Sequence, residues 1–305
     1  MDLEEQTLKR LKQGFRGKIL LGEPLSKHTS FRIGGPADYF VYPKDLEDLG
    51  YIVDFCQREQ LPRFTIGNGT NLLVSDQGFR GAVIDLSETF NHIQCKGHVV
   101  TVGAGVSLDE LLVYCIKRGL SGLECMVGIP GQVGGAIRLN AGAWGGEIYD
   151  RLLSVRFLDR FGTLERRQRE EITAGYRYTD LPSDAIVVEA QFHLAEGNPK
   201  EMESLQDSYM KERRQKQPLS LPSAGSVFKR PEGDFAGRLI EDAGCKGLRI
   251  GDAMVSKKHA NFIVNCHLAS AEDVIRLMNE IQDRVMKRFG VELEPEIHTL
   301  GFTSR

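Results

Sequence analysis

The sequence predicts an α+β protein of more than one domain, and three observations carry that reading. The chain has 305 residues, too many for one small core. Helix and strand patterns mix unevenly and do not alternate strictly, as one doubly wound sheet would require. The character changes near Asn198, where glycine-rich strands give way to a polar helix. Apolar residues make up 41% and charged residues 27%, as in an ordinary soluble globular protein. A net charge of -3 gives no argument for a nucleic-acid partner. No apolar run approaches the ~18 residues that would suggest a membrane span. The start, MDLEEQTLKRLKQGF, reads as a charged amphipathic helix without the apolar centre of a secretory signal. The expected location is therefore cytoplasmic, with no obligate protein partner evident. Cys56, Cys95, Cys115, Cys125, Cys245 and Cys266 form no C-x-x-C pair and read as buried thiols of a reducing compartment. The histidines lack ligand spacing, so no metal site is expected.

Each element has a local reason. Residues 38–43 (DYFVYP) read as a strand, and Asp45 then caps a helix running to about Glu59. Residues 63–66 form a short strand that ends in a Gly-Asn-Gly loop. Residues 83–86 and 99–102 are further strands. Ser107-Leu-Asp-Glu110 is a capping box opening a helix to Arg118. The stretch 119–147 is crowded with glycine. Strands return over 152–159, pair across Phe161-Gly162, and recur over 185–194. Asn198-Pro199 places an N-cap before proline at the first helical position. The polar helix that follows ends in KERRQKQP. Beyond it come the LPSAGSVFKRP loop, a helix over 235–243 and a strand over 261–265. Ser270 then caps a helix with Val274, Leu277, Ile281, Val285 and Phe289 on one face. A last strand passes through LEPEIHTLG.

Two glycine loops invite a ligand. Gly67, Asn68, Gly69, Thr70 and Asn71 follow one strand; Gly131, Gly134 and Gly135 follow another apolar stretch, beside Ile129-Pro130, which looks buried. Glycines let backbone amides approach a diphosphate, and successive amides form an anion-binding nest. Tight turns between strands explain the same glycines equally well. Neither loop matches G-x-G-x-x-G or a Walker A motif, which argues against a standard dinucleotide-binding unit. Lys211, Arg213, Arg214 and Lys216 end the polar helix, where cations complement the helix dipole. The run leads straight into the loop of Ser226, Lys229 and Arg230, and converging cations suit a phosphate or carboxylate ligand. Arg177 in GYRYTD, after a helix-like segment, and Glu296 in the apolar terminal strand are far apart in the chain. Spacing alone selects neither.

Taken in order, SFRIGGPADYFVYP, IGNGTNLLVSD, GLECMVGIPGQVGGAIRLNAGAWGGEI, GYRYTD, PSAGSVFKRP, LIEDAGCKGLRIGDAMVS and LEPEIHTLG resemble the UDP-N-acetylenolpyruvoylglucosamine reductases, from Ser26 to Gly301. The resemblance implies an FAD-binding part of two α+β subdomains (26–80 and 81–197) of the vanillyl-alcohol-oxidase kind. A substrate-binding domain (198–305) follows, and a helical lead-in (1–25) precedes. It implies FAD contacts at Arg32, at the 67–71 loop, at Gly128, Ile129, Pro130, Gly131, Gly134, Gly135 and Ala136, and at Asn140 and Gly142. It implies a proton donor at Ser226, an active-site arginine at Arg177 and a glutamate at Glu296. Lys216, Lys229 and Arg230 become substrate contacts. NADPH would reduce FAD, and the enolpyruvyl group of the UDP-sugar would then be reduced to give UDP-N-acetylmuramate.

Physics explains the trio. Hydride addition to the terminal carbon leaves negative charge on the α-carbon and its carboxylate. A fixed guanidinium stabilises that charge. A glutamic acid held neutral donates one more hydrogen bond, and a hydroxyl can protonate so basic a carbon. The chain departs from the family pattern at Trp144 (more often Tyr or Phe), Thr179 (often Ser) and His298 (often Arg). The short link from His193 to the basic helix matches the shorter class, which lacks an extra substrate-capping loop. An oxidase of the same flavin fold acting on another small substrate is the alternative expectation.

Overall fold

The computed structural model describes residues 3–302. Two sheets set the frame. A four-stranded sheet runs in the order Lys18–Pro24, Pro36–Tyr42, Phe79–Asp85, Arg63–Ile66, with the last two strands parallel. A five-stranded antiparallel sheet runs Leu164–Gln168, Leu152–Leu158, Ile186–His193, Val99–Gly103, Ile93–Lys96. The mixture is the α+β arrangement expected. The strand Lys18–Pro24 was not anticipated; its KILLGEP residues are half-buried or exposed, none buried, and alternate poorly.

The chain divides into two compact units. One holds the residues up to Leu21 with Tyr39–Gly67 and Gly81–Lys211; the other holds Gly22–Asp38, Asn68–Arg80 and the residues from Glu212 onward. Each unit has its own core. In the first, Phe157 and Phe192 of the five-stranded sheet, Leu49 and Ile52 of helix Leu46–Arg58, and Leu111 of helix Leu108–Lys117 are buried together. In the second, Val274, Leu277, Ile281 and Val285 of helix Ala271–Phe289 face Ala253, Val255, Phe228 and Leu239. Each such side chain contributes roughly 1.5–3 kcal/mol through burial.

Caps fix the helix starts. Asp45 accepts from the Asp48 amide at 2.9 Å. Ser107 and Glu110 close the expected capping box, with the Glu110 amide on the Ser107 hydroxyl at 3.1 Å. Ser270 and Asp273 close another, and Gly290 ends that helix with φ +67°. The Lys200 amide donates to Asn198 at 3.1 Å, opening helix Pro199–Lys216. The N-terminal helix covers Leu3–Leu11. Of the longer expected run, Met1 and Asp2 lie outside the described residues, and 12–14 form a turn. The terminal strand is only His298–Leu300, paired parallel with Leu72–Val74, so Glu296 precedes it. All six cysteines are free, but Cys95, Cys125 and Cys266 are half-buried, not buried as expected. No described helix is long and apolar enough to cross a membrane.

Candidate active site

Ser226 is held by its neighbours' backbone, in the second unit. Gly225 before it has φ +76° with open space where a Cβ would stand, so glycine is needed for conformation alone. Residues 226–229 then run extended between two other segments. Ser226 bridges Phe262 on one side and Phe228 bridges Pro295 on the other, both antiparallel. The Val227 amide donates to the Asn261 carbonyl at 2.9 Å, and the Glu296 amide donates to the Val227 carbonyl at 2.7 Å. The buried side chain of Asn261 grips Phe228 at both ends. Its Oδ1 accepts from the Phe228 amide at 3.0 Å and its Nδ2 donates to the Phe228 carbonyl at 2.8 Å. Ser226 and Glu296, 70 positions apart by numbering, are thus carried on hydrogen-bonded neighbouring segments.

The 67–71 loop reaches the same segments. Asn71 Nδ2 donates to the Glu296 carbonyl at 3.1 Å, and the His298 amide donates to the Asn71 carbonyl at 3.0 Å. Ser30 Oγ donates to the carbonyls of Ser223 (2.6 Å) and Gly69 (3.3 Å), tying this loop to the one that carries Ser226. Gly69 has φ +56°, and a Cβ there would fall 2.2 Å from the His28 carbonyl oxygen. Among the described residues the amides of Asn68, Gly69 and Thr70 have no partner.

In the first unit the 128–136 loop is only partly a nest. The Val133 and Gly134 amides bond the Val106 and Ala104 carbonyls, and the Ile129 amide bonds Met126. Gly134 is small because its Cβ would sit 3.0 Å from that of Ala104. The segment enters a helix, Val133–Arg138, where a loop was expected. Ile129 is half-buried and Pro130 exposed, against the buried pair expected; their apolar flanks are the misleading signal. The amides of Gly128, Gly131 and Gln132 remain without an acceptor among the described residues. Gln132 lies against Gly67, where a Cβ would come 2.9 Å from its Oε1. Unspent amides beside glycines are the donor set that a diphosphate requires, so these residues fit a flavin dinucleotide on chemical grounds.

Arg177, also in the first unit, sits at the tip of a hairpin, Ala174–Gly175 paired with Tyr178–Thr179. The preceding segment is a single 3-10 turn, Arg169–Glu171, where a helix-like run was expected. The two-residue turn is Tyr176-Arg177, and Arg177 takes φ +54°. Its guanidinium lies 5.2 Å from the Tyr176 ring centre. Arg32 and Asn140 also take positive φ, +57° and +42°. Non-glycine residues adopt that region at a cost, and such strain concentrates at functional sites. Asn140 is fully buried. Its Nδ2 donates to Glu147 Oε2 (2.6 Å) and the Gly175 carbonyl (3.0 Å), while Oδ1 has no protein partner. Gly142 pairs with Glu147 in the neighbouring hairpin, where a Cβ would meet the Gly146 carbonyl at 2.6 Å.

The cations are engaged within the protein. Lys229 pairs with Glu294 and Lys216 with Glu212, while Arg230 stacks 4.8 Å from the Phe235 ring centre. Arg213 turns inward to Gln217 at 3.3 Å, and burial depresses its pKa, so it is not part of a solvated basic cluster. Surface pairs of this kind are worth about 0–1 kcal/mol, so an anionic ligand displaces them at small cost. Asn261, Ser30 and Glu147 escaped the sequence reading. The signal for Asn261 was present: an amide side chain opening the apolar run FIV must find partners when buried.

Comparison with known proteins adds the decisive observation. Residues 217–300 match the C-terminal domain model of UDP-N-acetylenolpyruvoylglucosamine reductase, and residues 37–167 match an FAD binding domain. The reductase of Lachnoclostridium phytofermentans is 45% identical over 289 residues, 93% of each chain. That of Exiguobacterium sibiricum is 42% identical over 301 residues, 98% of this chain and 99% of its own. The chain belongs to the UDP-N-acetylenolpyruvoylglucosamine reductase family. The crystal structure of the Thermus caldophilus reductase superposes with a TM-score of 0.80 at 38% identity, covering 93% of this chain and 99% of that one. As a family member the chain is an FAD-containing oxidoreductase. The FAD-binding match spans the 67–71 and 128–136 loops, and the C-terminal match spans Ser226 and Glu296.

Proposed function

We propose that this protein reduces the enolpyruvyl group of UDP-N-acetylglucosamine enolpyruvate to a lactyl ether, giving UDP-N-acetylmuramate for peptidoglycan, with NADPH as reductant, in the cytoplasm. The observation that supports it most is the hydrogen-bonded register joining the Ser226 segment to Glu296. Each unit offers unspent amides that would suit the FAD diphosphate, those of 68–70 in one and those of Gly128, Gly131 and Gln132 in the other. FAD bound there would supply hydride chemistry, with NADPH as the electron source and the substrate's terminal methylene carbon as the acceptor.

The chain's own groups deal with the charge and the proton. Negative charge then builds on the α-carbon and carboxylate. Arg177, on a two-residue turn, presents a permanently charged planar donor to that carboxylate. Glu296, when protonated, donates a further hydrogen bond to the same oxygens. The Ser226 hydroxyl gives its proton to the α-carbon and recovers one from solvent. NADPH and one proton are consumed per double bond reduced. Lys216, Lys229 and Arg230 bind the UDP diphosphate by exchanging their surface partners for phosphate oxygens.

The test is spectroscopic. The purified protein carries a flavin band near ~450 nm, a property of the cofactor. NADPH added without oxygen bleaches it, and UDP-N-acetylglucosamine enolpyruvate restores it. Recovery with oxygen but not with the sugar nucleotide would identify an oxidase and overturn the proposal.

A further inference from the structure

We infer that Asn140, with Glu147 behind it, is a positioning residue for Arg177. The inference rests on the role proposed for Arg177. The hairpin that carries Arg177 has two residue pairs, Ala174 with Thr179 and Gly175 with Tyr178. So short a ribbon is not stable alone, and its tip holds an arginine in the left-handed region at φ +54°. External tethers must therefore fix it. One is Thr179 Oγ1, which donates to the Arg138 carbonyl at 3.3 Å. Another grips the residue just before the turn: Asn140 Nδ2 donates to the Gly175 carbonyl at 3.0 Å.

Asn140 is itself immobilised. It is fully buried with φ +42°. Its second Nδ2 proton goes to Glu147 Oε2 at 2.6 Å, and the Glu147 amide is held by Asp150 at 2.8 Å. Glu147 closes the hairpin whose tip is Trp144-Gly145, both at positive φ. The Trp144 ring stacks on Tyr209 with centroids 4.7 Å apart and planes 2° from parallel. A rigid chain of contacts thus runs from helix Pro199–Lys216 through Trp144, Glu147 and Asn140 to the carbonyl beside the Arg177 turn. Both Nδ2 protons are spent on this frame, which leaves only Oδ1 for any ligand.

Asn140→Asp separates the two roles, because it keeps Oδ1 and replaces the donor with an oxygen facing Glu147. Glu147→Gln should keep its flavin and its rate of bleaching by NADPH; Asn140→Asp is measured on flavin-loaded protein. Reoxidation by the sugar nucleotide should slow about 10- to 100-fold. In an Arg177→Ala background the same change should cost nothing more, since the residue acts through Arg177. Trypsin gives a readout independent of activity: cleavage after Arg177, identified by fragment mass, should accelerate. Glu147→Ala should shift both readouts the same way, with Glu147→Gln restoring them; this pair serves if Asn140→Asp does not fold. Equal loss in both backgrounds, loss of flavin from Glu147→Gln, or unchanged cleavage after Arg177 would overturn the inference. An inactive Arg177→Ala is required by the proposed function, and its failure would show there, leaving the trypsin result to judge the tether.

Discussion

Asn261→Ala is the change from which most can be worked out. The side chain makes two bonds to one backbone unit, from the Phe228 amide at 3.0 Å and to the Phe228 carbonyl at 2.8 Å. Phe228 is 1% exposed, so neither group finds bulk water when the amide is removed. A buried group left unpaired costs about 1–3 kcal/mol. Two of them give ~4 kcal/mol, and a water entering the vacated space lowers this to about 3 kcal/mol. For a chain of this size that corresponds to a fall of about 5 °C in melting temperature. The Val227 amide keeps its bond to the 261 carbonyl, so Ser226 should stay near its place but loosen. Urea denaturation of the flavin-loaded protein measures the loss. Asn261→Asp turns a carboxylate oxygen toward the Phe228 carbonyl in a buried setting, and should cost at least as much as alanine at neutral pH. A loss below ~1 kcal/mol for the alanine variant would refute the reasoning, since it would mean the clamp bears no load.

Gly69→Ala forces a Cβ to within 2.2 Å of the His28 carbonyl at φ +56°; the left-handed residue alone costs ~1–2 kcal/mol. The variant should lose bound FAD and melt lower, and wild-type flavin content with an unchanged melt would contradict the reading. His259 is half-buried, and burial first, then Lys246, lowers its pKa from 6.5, while its Nδ1 accepts the Asn261 backbone amide at 3.3 Å. Below pH 6.5 the unfolded chain binds a proton that the folded imidazole refuses, so stability falls as pH drops through that value. His259→Gln should flatten the pH dependence between 7.5 and 5.5, and an unchanged slope would remove His259 from the account.

Local signals were the legible part of the sequence. Caps at Asp45, Ser107 and Ser270 and the apolar face of helix Ala271–Phe289 each depend on residues within a few positions. Features set by distant partners were not legible. The Val133–Arg138 helix forms within a glycine-rich run because the amides of Val133 and Gly134 dock on carbonyls near residue 105. The Arg177 hairpin has too few residues for any periodicity, and its strained turn is maintained by Asn140 from another segment. For the site, motif order pointed to Ser226, Arg177 and Glu296. Their supports, Asn261, Ser30 and Glu147, act through a few individual side-chain hydrogen bonds that leave no pattern in the chain.

The central claim is that Ser226 supplies the proton that completes reduction of the substrate. Stopped-flow absorbance of Ser226→Ala, without oxygen, tests it by resolving the two half-reactions. The account predicts bleaching by NADPH at the wild-type rate and recovery with the sugar nucleotide slowed roughly 10³-fold or more. Recovery at the wild-type rate would contradict it.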